Sequence, residues 1–190
     1  MIRLRRGSSD LEFRGAKAAA KIDLDGSGQA DLACGSGFLD HMIGAFCRTG
    51  QIDLEAKAAG SSHYRALVLG RAIGLAIDDA LDDHSGIHRY GNADLPMDES
   101  LAMVALDFSG RPYLVLSGKF SGQWIGDLEA QEIETFMEGL TDGARLTLHI
   151  RFYGENDHHK AESIFKALGS SVREAVRKEG KGVPSTKGVI

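Results

Sequence analysis

The spacing of apolar residues along the chain switches between two periods, and these switches mark strands and helices. Over residues 51–57, Ile52, Leu54 and Ala56 alternate with other residues, a period of two that predicts a strand. Over residues 63–82 the apolar positions lie three and four apart, which predicts an amphipathic helix. Glycines are numerous, 24 in 190 residues, and they predict turns between short elements.

The two halves of the chain show the same predicted order of elements. The first half has predicted strands over residues 12–24, 29–34 and 51–57, a turn at 25–28, and helices over 38–46 and 63–82. The second has predicted strands over residues 101–108, 113–116 and 145–152, a turn at 109–112, helices over 129–140 and 158–178, and a surface loop at 118–127. We expect the second strand of each half to pair back onto the first as a hairpin. The order strand, strand, helix, strand, helix predicts an α+β fold made by internal duplication. The repeats are predicted over residues 1–92 and 93–190, each with its helices on one face of a sheet.

Composition narrows the class of protein. With 43% apolar and 26% charged residues, the chain can bury a sizeable core in one large domain or two small ones. A net charge of −5 argues against a nucleic-acid-binding surface. Cys34 and Cys47 lack metal-type spacing and are typical of reduced core residues in a cytosolic protein. No apolar run reaches membrane length, and residues 1–6 lack the apolar segment of a signal peptide behind them, so we expect a cytoplasmic protein.

Residues 156–162, Asn-Asp-His-His-Lys-Ala-Glu, combine the side chains of a metal site at the start of a predicted helix. Residues three and four apart share one helix face, so His158 or His159 can bind a metal together with Glu162. The two residues before the histidines can cap the helix, and the positive end of the helix dipole favours the neutral imidazole that metals bind. A pair of surface histidines is the alternative. His149 on the preceding strand, and a second histidine-rich segment in the first half, favour the metal site.

Several short segments carry a more specific signal together than any does alone. They are LDGSG at 24–28, GFLDHM at 37–42, GIHRYG at 86–91, PMDE at 96–99, DFSGRPY at 107–113, LHIR at 148–151, the histidine-pair helix start through 167, and PSTKG at 184–188. In this order they resemble the imidazoleglycerol-phosphate dehydratase family, which acts in histidine biosynthesis. The resemblance covers nearly the whole chain. It implies a duplicated fold like the second domain of ribosomal protein S5, and a large shell-like homo-oligomer with metals between subunits.

The resemblance also implies a reaction. The family removes water from imidazole glycerol phosphate to give imidazole acetol phosphate, and the proton that leaves is on an unactivated carbon. Two divalent ions, usually manganese, hold the substrate's imidazole as an imidazolate, and they act as Lewis acids and as a template. Histidine with carboxylate ligation suits manganese or zinc.

The first half departs from the family's pattern at the start of its second helix. Family members carry a His-His-x-x-Glu-Asp motif in both halves, and only the second motif is whole in this chain. The first falls on residues 63–68, where His63 survives. Tyr64, Leu67 and Val68 replace the second histidine, the glutamate and the aspartate. Tyrosine could ligate a metal only as phenolate, and leucine cannot ligate at all, so we expect fewer than two tightly bound metals per subunit.

A second departure concerns acid–base catalysis. The glutamate that acts there in the family falls on Gly15 or Ala16, so this position offers no carboxylate. Glu12 lies three residues away, too far along a strand to take its place without a register change. Asp98 and Glu99 are the remaining candidates for acid–base or orienting groups, with an ordinary turn as the alternative.

Site residues carry over from the family position by position. The resemblance implies one metal among His41, Tyr64, one of the pair His158/His159, and Glu162. It implies a second among His63, Leu67, His149 and the other histidine of the pair. The substrate's phosphate would meet Arg89, Arg111, Lys166, Ser185 and Lys187. The last two belong to a tail, residues 180–188, that is either a frayed end or an anion-binding segment.

Three functions remain open on the sequence. The first is an active hydro-lyase on imidazole glycerol phosphate with an altered metal site. The second is a divergent paralogue that binds a metal and a phosphorylated ligand with lost or altered catalysis. The third is an interaction module without enzymatic activity, which the acidic balance and the retained histidines disfavour.

Overall fold

The structure, a computed structural model, describes residues 5–185, 188 and 190, apart from the side chains of Ser62 and His63. The strands are β1 (Arg6–Phe13), β2 (Ala16–Asp23), β3 (Ala30–Ala33), β4 (Asp53–Ala59), β5 (Tyr90–Met97), β6 (Ser100–Asp107), β7 (Tyr113–Ser117), β8 (Trp124–Ile125), β9 (Leu128–Glu129) and β10 (Thr147–Tyr153). The helices are α1 (Gly37–Gly50), α2 (Ser62–Leu81), α3 (Ala130–Gly143) and α4 (Asp157–Ala175). Among the described helices, none has the length and apolar character needed to cross a membrane.

Two four-stranded sheets have the same strand order, β1-β2-β4-β3 and β5-β6-β10-β7. This confirms the predicted α+β class and agrees with internal duplication. Before its first helix, the first half carries one strand more than the sequence predicted, and the second half carries three more, β5 and the two-residue β8 and β9. The predicted boundary between the repeats, at residues 92 and 93, falls inside β5 and stays a prediction.

The predicted first strand, residues 12–24, was wrong because it contains a turn. β1 and β2 are antiparallel and joined at Arg14 and Gly15, both with positive φ (49° and 79°). Two such residues form the hairpin turn that suits strand twist, and glycine adopts this conformation without strain. β5 and β6 are also joined by a two-residue turn, at Asp98 and Glu99, in which Asp98 has a positive φ of 47°. The sequence missed β5 because it is a polar edge strand, in which only alternate residues are even partly buried.

The predicted hairpin pairings of β3 and β7 were also wrong. β3 lies parallel to β4, with Ala30 opposite Leu54, and β7 lies parallel to β10. The Asp53 carboxylate accepts the backbone N–H groups of Ser27 and Gln29 at 2.8 Å each, so the connection crosses the start of β4. This delivers β3 to the far side of β4 instead of returning it to β2.

Helices of the two halves pack together through glycines. A Cβ on Gly70 or Gly74 of α2 would lie 2.1 or 2.5 Å from a carbonyl oxygen of α3, closer than any side chain allows. A Cβ on Gly169 of α4 would likewise lie 2.3 Å from the carbonyl oxygen of Phe46 in α1. Because helix backbones approach so closely, α1 and α4 lie side by side, and a single cluster of buried side chains spans both halves.

Both cysteines lie inside this core and are free. Burial raises the pKa of both thiols, that of Cys47 to about 12, so little reactive thiolate forms.

We predict that iodoacetamide at mildly alkaline pH leaves Cys34 and Cys47 unmodified in the folded protein and alkylates both in urea. Mass spectrometry counts the adducts. Rapid labelling of either thiol in the native protein would contradict this core placement.

Candidate metal centre

The starts of α1 and α4 are fixed by side-chain caps. In α4 the Asn156 side chain accepts the backbone N–H groups of His158 (2.9 Å) and His159 (3.4 Å). In α1 the Ser36 hydroxyl accepts the N–H of Leu39 at 3.2 Å. Each cap satisfies amides that have no partner within the helix and defines where the helix begins. Because α1 and α4 pack together, these two defined ends place their first turns side by side.

His41 of α1 and His158 and Glu162 of α4 form a compact donor cluster. The Glu162 Oε2 atom lies 3.6 Å from His41 Nε2 and 3.3 Å from His158 Nε2. One ligand atom from each residue lies within 4.8 Å of the others. Two ligands that share a metal at ~2.0–2.2 Å lie roughly 3.0–3.5 Å apart. The donors therefore fit one divalent cation, and three protein donors leave positions for substrate or water.

Lys166 controls the charge of the cluster. Its ammonium lies 2.6 Å from Glu162 Oε1, the oxygen that faces away from the histidines, and 3.5 Å from the sulfur of Met97. Burial alone would raise the pKa of Glu162. The hydrogen bond and charge of Lys166, with the charges of His41 and His158, outweigh burial and hold that pKa below its ordinary value. Glu162 is therefore ionised and ready to bind a cation.

Glu99 holds His159 and three further hydrogen-bond donors. Its Oε2 atom lies 2.8 Å from His159 Nδ1, and its Oε1 atom accepts hydrogen bonds from Ser100 Oγ (2.8 Å), Glu155 N (3.0 Å) and Asn156 N (2.7 Å). The His159 contact, followed by the Asn156 and Ser100 bonds, holds the pKa of Glu99 far below its usual range. A carboxylate so strongly held in its ionised form is a poor base, which favours the orienting role for Glu99.

His159 has an environment unlike that of His158. The hydrogen bond to Glu99 raises the pKa of His159, which is opposite to the neutral ring expected from the helix dipole. With Nδ1 on Glu99, the Nε2 atom lies 3.7 Å from Oδ2 of the exposed Asp98. The rings of His158 and His159 are 6.2 Å apart and nearly perpendicular. The two histidines therefore present their outer nitrogens to different surroundings.

His149 lies apart from the cluster within one chain. It is exposed on β10, on the outer face of its sheet, with Ala105 and Val115 as its cross-strand neighbours. The side chain of His63, the remaining histidine of the predicted metal sets, lies outside the part of the chain that the structure describes.

The residues predicted to bind phosphate fall into two groups. Arg89 donates to the Asp107 carboxylate through Nε (2.6 Å) and Nη2 (3.1 Å), and to the Pro184 carbonyl through Nη1 (2.8 Å). Arg111 lies near this end of the sheet, with Nη1 3.2 Å from the Ser109 carbonyl, and Ser185 directly follows Pro184. Lys187 lies outside the described residues.

Lys166 belongs to the opposite end. β5 starts beside Arg89 and ends at Met97, which contacts Lys166, and at ~3.3 Å per residue its eight residues span roughly 23 Å. Within one chain the two groups do not converge.

The first half carries different chemistry at the equivalent end. Since β1–β2 and β5–β6 are both pairs of eight-residue strands with two-residue turns, Arg14 and Gly15 occupy the places of Asp98 and Glu99. Counted from the N-caps Ser61 and Asn156, Tyr64 and Leu67 correspond to His159 and Glu162.

Arg14 donates to the Tyr64 hydroxyl at 2.8 Å, and its guanidinium carbon lies 5.3 Å from the ring centre of Phe13 and 5.4 Å from that of Tyr64. A cation–aromatic contact stands where the second half has a carboxylate–histidine pair.

The family model of imidazoleglycerol-phosphate dehydratase matches residues 34–172. The chain belongs to this family. It is 43% identical to the imidazoleglycerol-phosphate dehydratase of Methanothermobacter thermautotrophicus over 194 residues, covering 100% of both chains. It is 44% identical to that of Clostridioides difficile over 175 residues, covering 90% of this chain and 91% of the relative.

Solved structures agree with the family match. The dehydratase of Staphylococcus aureus superposes with a TM-score of 0.83 at 31% identity, covering 92% of this chain and 99% of that one. The enzyme of Pyrococcus furiosus superposes with a TM-score of 0.84 at 30% identity, covering 96% and 100%. The family resemblance read from the motifs is thus confirmed, and this family of metal-dependent dehydratases suits the cluster of His41, His158 and Glu162.

The link between Glu99 and His159 can be tested in the metal-free protein. Replacing Glu99 by Gln removes the negative charge that favours the imidazolium, so the pKa of His159 should fall toward its ordinary value. Histidine C–H resonances followed through a pH titration measure this pKa. Glu138→Gln, the same change on the exposed face of α3, should leave it unchanged. An unaltered His159 titration in Glu99→Gln would show that this contact does not control the ring.

Proposed function

We propose that this chain is a hydro-lyase that converts imidazole glycerol phosphate to imidazole acetol phosphate in histidine biosynthesis. The observation that carries the proposal is the cluster of His41, His158 and Glu162 in a chain that matches dehydratases over nine-tenths or more of their length. A cytoplasmic location, expected from the reduced cysteines, belongs to the same proposal.

The cluster would hold a divalent cation, and its nitrogen-rich donors with one carboxylate suit manganese or zinc. When bound, the cation supplies Lewis acidity and a template for the imidazole ring. Glu162 contributes the charge, and Lys166 holds its second oxygen so that one oxygen faces the histidines. Glu99 fixes His159 with Nε2 pointing outward, beside Asp98. Because four hydrogen bonds hold Glu99 in its ionised form, we propose Asp98 rather than Glu99 as the acid–base candidate.

Substrate binding requires more than one chain in this proposal. Arg89, Arg111, Ser185 and Lys187 are proposed for the phosphate, yet the described members lie at the end of the sheet opposite Lys166 and the cluster. His149 likewise faces away on the outer face of its sheet. A small substrate spans a few ångströms, so it can meet both groups only if neighbouring chains bring them together. We therefore propose a homo-oligomer, large and shell-like as the resemblance implies.

The substitutions in the first half favour the second function considered from the sequence, a divergent paralogue with altered catalysis. Gly15 stands where the other half has Glu99, and Leu67 stands where it has Glu162, so two carboxylates are absent from the equivalent end. We propose that the chain holds fewer than two tightly bound metals. Dehydration would then be slower than in relatives with both motifs, by about 10²–10⁴-fold for a lost acid or base.

Metal binding and turnover together test the proposal. Dialysed protein should retain a divalent metal by elemental analysis and dehydrate imidazole glycerol phosphate when manganese is added. Glu162→Gln removes the only carboxylate of the cluster, so metal affinity should fall at least tenfold and turnover should be lost. Glu138→Gln on the exposed face of α3 is the matched control and should retain both. Two tightly bound metals per chain with full-rate turnover would refute the proposal that the altered first half lowers metal content and rate. One metal without turnover would support the paralogue.

A complementation experiment tests the shared site. If His149 of one chain serves the cluster of a neighbour, co-expressed His149→Ala and Glu162→Gln chains should rebuild some intact sites and recover part of the activity. His41→Ala with Glu162→Gln should recover nothing, because both residues belong to one cluster in one chain. Sedimentation of the wild-type protein at micromolar concentration should show a large assembly. A stable monomer, or equal recovery in both mixtures, would contradict the shared site.

A further inference from the structure

The segment of residues 118–129, here called the strap, joins β7 to α3 and carries Trp124, the only tryptophan of the chain. The sequence predicted a surface loop over most of it. In the structure it contains the short β8–β9 hairpin, and its hydrogen bonds reach the first turns of both helices that build the donor cluster. It therefore bridges α4 and α1 at the end of the molecule where the cluster lies.

The first anchor of the strap lies on α4. The Asp157 carboxylate accepts the backbone N–H groups of Ser121 at 2.9 Å and Gly122 at 2.7 Å. Lys160 is paired with Asp157 and also donates to the Lys119 carbonyl at 3.1 Å and to Ser121 Oγ at 3.3 Å. Only 2% of Lys160 is exposed. A buried ammonium is costly unless its hydrogens are all used, as they are here, so this anchor is hard to open.

The second anchor lies on α1 and depends on Asp127. Its Oδ1 atom accepts hydrogen bonds from Ser36 Oγ (2.8 Å) and Phe38 N (2.9 Å), and its Oδ2 atom accepts one from Gly37 N (2.8 Å). These bonds, that of Phe38 first, lower the pKa of Asp127. A carboxylate at a helix start also interacts favourably with the helix dipole. Asp127 thus holds the backbone of the first turn of α1, although it belongs to the other half of the chain.

The anchored turn continues directly into the cluster. The Phe38 ring meets the His158 ring edge-on, with 5.2 Å between centres, and His41 follows one turn later on α1. Gly126, next to Asp127, lies so close to Phe38 that a Cβ there would be 3.3 Å from its side chain. A shift of the strap would therefore move His41 relative to His158 and Glu162.

We propose that Asp127 is the positioning residue of the metal centre. Through the strap it sets the distance between His41 and the pair His158 and Glu162, and so the affinity of the cluster for a divalent cation. This inference rests on the metal cluster of the proposed function. It adds a residue that neither binds the cation nor touches a ligand side chain directly.

The test measures cation binding to the folded, metal-free, full-length protein by calorimetry with manganese and with zinc. Asp127→Ala removes three hydrogen bonds at the start of α1, so affinity for both cations should fall about tenfold, the lower end of the effect of losing a group hydrogen-bonded to a ligand. Asp127→Asn keeps one acceptor oxygen and should lose less. Asp53→Asn is the matched control. Asp53 also accepts backbone N–H groups, but it lies at the start of β4, just after the last residue of α1.

Hydrogen exchange supplies a second readout that does not depend on the cation. The amides of Gly37 and Phe38 should exchange faster in Asp127→Ala than in the wild type or in Asp53→Asn. Circular dichroism first establishes that each variant folds. If Asp127→Ala does not fold, cation affinity and hydrogen exchange are measured in the milder variant Asp127→Asn.

The outcomes separate this inference from the proposed function. Wild-type affinity for both cations in a folded Asp127 variant would overturn the positioning role, even if exchange accelerates. A wild-type protein that binds neither cation would overturn the metal centre itself, and with it the positioning role. Equal weakening in Asp53→Asn would show a general loss of stability rather than positioning.

Discussion

Close contact between helix backbones is the constraint on which the site depends. Gly169 of α4 lies against the carbonyl of Phe46, and the Thr49 hydroxyl of α1 donates to the Lys166 carbonyl of α4 at 2.9 Å. These contacts leave no room for a side chain, so α1 and α4 cannot slide past each other without a clash. This packing brings His41, near the start of one helix, to the same end of the molecule as His158 and Glu162, near the start of the other.

Duplication explains why the hairpin tips and helix starts of the two halves can differ in chemistry without loss of the fold. The glycine contacts between α2 and α3 match those between α1 and α4, and the sheets share one strand order. These features lie in the core, whereas Arg14, Gly15, Tyr64 and Leu67 lie at hairpin tips and at the first turns of a helix. Substitution there changes charge and donor chemistry but disturbs few buried contacts. One end of the chain has therefore kept carboxylates and histidines, while the other has an arginine on two aromatic rings.

The sequence predicted what depends on local spacing. All four helices lie close to their predicted positions because their apolar faces repeat with the helical period. The spacing of three and four residues placed Glu162 on one helix face with His158 or His159, and the structure brings His158 to it. The position of His41 required the family resemblance, since nothing local places it beside α4. Strand pairing failed for β3 and β7 because partner choice depends on how a connection crosses the sheet. The partners of Glu99 and Asp127 were not predicted, because they lie about 60 and 90 residues away in sequence.

The charges around Glu162 show how a single carboxylate can interact with both the Lys166 ammonium and a metal ion. Its Oε1 atom is held by Lys166 and its Oε2 atom faces the two histidines, so only one oxygen remains for a metal. Lys166 already offsets part of the negative charge, which weakens the attraction for a hard cation compared with a free carboxylate. In return the carboxylate is ionised and fixed in orientation before any metal arrives. Binding then costs little reorganisation, and the geometry of the site depends on the spacing of α1 and α4 rather than on the flexibility of Glu162.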